Sequence, residues 1–123
     1  MMSNFYYRLD KNKNVVRISS FEELLDVFGK EERKVVNTQI TDDINVSTVF
    51  LIIDHNYLRE GPPLVFETMV FGGERDQDCW RYATWQEAEV GHFKAVRELR
   101  EQMGIIDCKE GQFFTINDIL DLD

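Results

Sequence analysis

Only one stretch of this chain has the pattern of a long helix, and it opens with a hydroxyl and a carboxylate three residues apart. Thr84-Trp85-Gln86-Glu87 is a capping box, in which the Thr oxygen takes one orphan backbone N–H and the Glu reaches back to another. Trp85, Ala88, His92, Ala95, Leu99 and Met103 then recur three or four residues apart, and Gly104 follows as a stop. The spacing predicts a helix from Trp85 to about Met103 with one continuous face, and a face that long must be laid on something. Lys94 with Glu98 and Arg97 with Glu101 decorate its outside.

What it is laid on is read from the rest of the chain, where the period is mostly two. Residues 5–9 and 15–18 are short aromatic or β-branched runs separated by a polar cluster, which predicts a hairpin. Ser20-Phe21-Glu22-Glu23 is a second capping box, and it opens a short helix ended by Gly29, with Phe21, Leu24, Leu25 and Phe28 expected on one face. Residues 35–40 and 46–54 read as strands joined by Thr41-Asp42-Asp43. Gly61-Pro62-Pro63 excludes a central strand, residues 64–71 resume the β pattern up to Gly72-Gly73, and residues 79–82 form a last short strand. The expected class is α+β: a mainly antiparallel sheet of five or six strands, one long helix on one face, and one or two short helices. A chain of 123 residues supports a single core. Residues 1–123 are therefore taken as one domain, with residues 104–123 a tail docked through Ile116, Ile119 and Leu120.

Composition excludes several function classes. With 43% hydrophobic residues, nine Phe and four Tyr the chain is not of the disordered kind. A net charge of -9, with 14 basic residues scattered among 23 acidic ones, argues against direct nucleic-acid binding, which needs clustered cations. Cys79 and Cys108 are isolated and give neither a zinc pattern nor a disulfide framework, so no metal and no cofactor is expected. The opening residues lack the layout of a signal peptide, and the longest apolar run, 49–53, is too short for a bilayer. A cytoplasmic location without membrane association is expected.

Three blocks carry a likeness to a known group of sequences. They are Val46-Ser47-Thr48-Val49-Phe50-Leu51-Ile52-Ile53-Asp54-His55-Asn56, Gly61-Pro62-Pro63-Leu64-Val65-Phe66-Glu67-Thr68-Met69-Val70-Phe71-Gly72-Gly73, and Arg81-Tyr82-Ala83-Thr84-Trp85-Gln86-Glu87-Ala88-Glu89-Val90-Gly91-His92. With Tyr6-Tyr7-Arg8-Leu9-Asp10 they span roughly residues 5–100. In these blocks the chain resembles a family of small, functionally unassigned proteins of tailed phages and prophages. It departs from that pattern at Ile52, where the family usually has Gly, in a longer 56–61 loop, and after Met103. The resemblance implies an origin and brings no activity with it.

Candidate chemistry is sparse. His55, beside Asp54 at the end of the strongest strand, and His92, on the inward helix face, are the two imidazoles. Glu67 interrupts an apolar run, where a charge must face solvent or pair with a cation. If His55, His92 and a carboxylate from Asp54 or Glu67 converged, they would form an acid–base set. Each also reads as an ordinary satisfied polar residue. Arg81, Tyr82 and Trp85 at the entry to the long helix combine a cation, aromatic surfaces and free N–H groups, a grouping suited to a small anionic ligand. Trp85 reads equally as core. No GxSxG, HExxH or phosphate-loop motif is present. The sequence leans away from an enzyme.

The resulting expectation is a phage-encoded accessory protein that binds, either blocking a host protein such as a defence factor or sequestering a small anion. A small His/carboxylate enzyme and a virion or assembly component are the alternatives. Residues 49–53 are apolar at every position, so both faces of that strand should need cover. One long helix covers one face only, which points to a symmetric homodimer.

Overall fold

The computed structural model of the protein describes residues 6–29, 33–58, 60–107 and 113–115, with side chains described through Gly104. The hairpin β1 (Tyr7–Leu9) and β2 (Val15–Arg17) leads into α1 (Phe21–Gly29). Four strands follow, β3 (Lys34–Gln39), β4 (Asn45–Phe50), β5 (Phe66–Phe71) and β6 (Cys79–Tyr82), in that order across one antiparallel sheet. The long helix α2 (Trp85–Gln102) lies on one face, and β7 (Ile105–Asp107) pairs with β8 (Phe113–Thr115). No helix among the described residues is long and apolar enough to cross a membrane.

The capping box of α2 forms in full and that of α1 in half. Thr84 Oγ1 accepts the Glu87 N–H at 3.0 Å while Glu87 accepts the Thr84 N–H at 3.2 Å. At α1 the Ser20 hydroxyl accepts from Glu23 N, but the Glu23 carboxylate reaches one residue further back, to the Ser19 N–H at 2.8 Å. Its second oxygen then takes Arg8 Nε at 2.8 Å, which ties the helix to β1. The α2 helix stops at Met103 as the sequence predicts, with Gly104 in the left-handed region at φ 81°.

The core under α2 is built in three layers, set by the register Val46↔Val70, Thr48↔Thr68 and Phe50↔Phe66. Val46 and Val70 pack with Ala95, Val96 and Leu99. Phe50 and Phe66 pack with Ala88 and with Ile18, Leu24, Ile52 and Val65. Between these apolar layers Thr48, Thr68 and His92 are fully buried. A polar stratum therefore separates two hydrophobic clusters along one helix.

Three expectations need correction. The strands do not join into one sheet of five or six; the sheet has four, flanked by two hairpins. The break lies just after β4, where Ile52 takes a left-handed φ of 74° that no ladder accommodates. The first hairpin then approaches the end of β4 through the Tyr6↔Ile53 bridge and the Tyr7 N–H to Ile52 carbonyl bond at 2.7 Å, and packs Tyr7, Leu9 and Val15 against the Phe50–Phe66 cluster. Nor does the run 49–53 need double cover. β4 alternates, with Val46, Thr48 and Phe50 buried and Asn45, Ser47 and Val49 half-buried on the other face, and the left-handed turn then tucks Ile52 inward. The premise for a second copy on that face is gone. Finally, α1 buries only Leu24; Phe21, Leu25 and Phe28 are 63%, 56% and 42% exposed, so they form an outward stripe instead of a core face. The expected docking of Ile116, Ile119 and Leu120 falls outside the described residues.

Candidate functional site

His92 is fully buried and bonded at both ring nitrogens. The helix period aims it at the sheet, where Nε2 meets Thr38 Oγ1 and Nδ1 meets Thr48 Oγ1, both at 2.8 Å. One ring nitrogen donates and the other accepts, so a neutral imidazole satisfies both hydroxyls. Burial disfavours the charged form and lowers its pKa from 6.5 to about 4. The chain of bonds continues from Thr48 to Thr68 and from Thr68 to the Tyr82 hydroxyl, whose pKa burial raises and the Thr68 bond partly restores. All four strands of the sheet thus contribute one side chain to a polar line under α2. Tyr82 is seated by Gly91: a methyl group there would collide with the phenol ring and its hydroxyl.

The expected acid–base set is not assembled. Glu67 lies between buried Phe66 and Thr68, so alternation puts it on the sheet face away from α2, where Arg81 Nε donates to it at 3.0 Å. His92 is under the helix, on the opposite face. His55 sits in the loop beyond β4, with Nδ1 2.9 Å from the Ile53 carbonyl oxygen and its ring edge-on to Tyr57. Asp54 staples that same loop by accepting the Asn56 and Leu64 N–H groups at 2.7 and 2.9 Å. Each of the four has a local structural task, and nothing brings them to one point.

Arg81, Tyr82 and Trp85 are likewise dispersed. Successive residues of β6 point to opposite faces, so Arg81 faces out while Tyr82 faces α2. Trp85 packs edge-on against Phe66 with ring centroids 6.2 Å apart, and Lys13 covers its other side at 4.6 Å. It is half-buried against the core with a cation on it, on the α2 side of the sheet and so on the opposite face from Arg81. Among the described residues no group of three or more His, Cys, Asp or Glu is placed to hold a metal ion.

The structure instead assembles two features around α1. On its outer side runs the stripe Phe21, Leu25 and Phe28, with the Arg33 guanidinium 5.6 Å from the Phe28 ring. On its inner side, between α1, β1 and the end of β4, lies a cleft of about 350 Å³. Leu9, Val27 and Phe50 give it an apolar floor, and Arg8, Arg33, Glu23 and Asp26 stand around the rim. The stripe was legible as the i, i+4, i+7 spacing, although that spacing equally describes a core face. Nothing in the sequence marked the cleft, because its walls come from segments more than forty residues apart. No family model, no curated protein and no solved structure matches the chain.

Proposed function

We propose that this is a phage-encoded accessory protein that acts by binding another protein, with α1 as the element it inserts. The carrying observation is the exposed stripe of Phe21, Leu25 and Phe28 on a helix anchored from behind by Leu24 and Val27. Anchors at i, i+4 and i+7 are how a helix is read by an apolar groove. Exposed Glu22 lies beside the stripe, the last turn of α1 carries no basic residue, and the Arg33 guanidinium covers only its Phe28 end. The net charge of -9 then favours a groove with a basic rim. It also disfavours the two other candidates for covering the stripe. A second copy brings its own -9, and the chain's remaining apolar segment carries Asp118, Asp121 and Asp123. The resemblance to phage proteins supports a host protein as the partner.

Replacing Leu25 with the photoreactive p-benzoylphenylalanine and irradiating the full chain in bacterial host lysate tests this reading. The expected product joins position 25 to a peptide of another protein flanked by Lys or Arg, in a complex weakened by salt and lost with Phe21→Ser. Cross-linking to residues 104–123 of the same chain, to a second copy, or to nothing overturns it.

A further inference from the structure

We infer that the cleft behind α1 is a binding site for a small organic anion with an apolar body, such as an aryl carboxylate or sulfonate. The inference is independent of the docking role of the outer stripe. A volume of about 350 Å³ over a floor of Leu9, Val27 and Phe50 is that of a small-ligand site. Its charges are unevenly engaged. Glu23 is saturated, with one oxygen accepting from the Ser19 N–H and hydroxyl and the other from Arg8 Nε. Asp26 has a partner of its own. Arg8 uses only Nε in its ion pair, at 2.8 Å, which leaves its terminal nitrogens without a bond to any described residue. The Arg33 guanidinium rests on the Phe28 ring and makes no ion pair among the described residues. Among the described residues, the rim groups with N–H donors to spare are thus the guanidinium forks of Arg8 and Arg33, which suit the paired oxygens of a carboxylate or sulfonate. An inorganic anion would gain nothing from the apolar floor, and a neutral ligand would forgo the charge-assisted part of its bonds to the forks. The anionic ligand the sequence suggested at Arg81, Tyr82 and Trp85 finds its chemistry here instead.

The test uses three probes on the full chain: naphthalene-1-sulfonate, the neutral naphthalene-1-sulfonamide, and inorganic sulfate. Binding is read from the methyl resonances of Leu9 and Val27. The sulfonate is expected to shift both saturably, the sulfonamide to bind at least about tenfold more weakly, and sulfate to leave the methyls unmoved. Arg33→Gln should weaken the sulfonate by about tenfold and leave the sulfonamide unchanged. Leu25→Ser, which removes the outer stripe, should leave sulfonate binding intact, so failure of the docking role and failure of the cleft are told apart. Equal affinity for sulfonate and sulfonamide, indifference to Arg33→Gln, or no saturable shift at Leu9 and Val27 overturns the inference.

Discussion

Two buried residues carry conformational or electrostatic cost, and both costs are measurable. Ile52 is fully buried yet left-handed at φ 74°, a region that costs a β-branched residue about 1–2 kcal/mol. At an ordinary position Gly is less stable than Ala; here the order should invert. Ile52→Gly and Ile52→Ala both lose core packing, but the Gly variant should be the more stable of the two by about 1 kcal/mol in urea unfolding. Equal midpoints would remove the strain. His92 gives a pH dependence. Its folded pKa of about 4 lies below the ordinary 6.5, so the unfolded chain binds the proton first. Stability from this residue is complete above pH 6.5 and declines as pH falls toward 4, by about 2 kcal/mol between pH 7 and pH 5. Urea midpoints for the wild type and His92→Gln over that range check it: the slope should flatten in the variant.

At the scale of elements, α2 is held to the sheet by shape as well as by burial. Gly91 is the point where the phenol of Tyr82 enters the helix surface. Gly→Ala inside a helix normally stabilises by up to about 1 kcal/mol. Gly91→Ala should instead destabilise by about 1–2 kcal/mol through overpacking. In a Tyr82→Ala background the same substitution should become neutral or stabilising, because the clash has left with the ring. A thermal-melt double-mutant cycle showing no coupling would mean the contact is not made. The caps at Thr84 and Ser20 were legible because a capping box is local chemistry. The direction of α1 was not, since Phe21, Leu24, Leu25 and Phe28 have the same spacing whether the helix is buried on Leu24 or on Leu25.

For the whole molecule, the expected assembly follows from which faces the sheet leaves uncovered. Away from α2 the sheet shows Asn37 bonded to Asn45, Ser47 and the Glu67–Arg81 pair interleaved with Val49, Met69 and the partly exposed Phe71, a mixed surface that gains little from a second copy. Light scattering on a size-exclusion column should therefore give a mass near 14.5 kDa, and a stable dimer would show that this face or the α1 stripe is buried between copies.

The sequence by itself determined the α+β class, both helix starts, the stop at Gly104 and the six strand segments up to Tyr82, whereas the β7–β8 pair lies in the stretch expected only as a docked tail. Each follows from hydrogen-bonding groups and side-chain periods within a few residues of one another. Tertiary structure decided which face each residue meets. A single left-handed residue at Ile52 ended β4 early, separated the first hairpin from the sheet and left one strand half-exposed. Alternation from the true strand starts then put Glu67 and Arg81 on one side and His92 and Tyr82 on the other, dispersing both candidate sites. The cleft arose where α1, β1 and β4 meet, from contacts that no local pattern encodes.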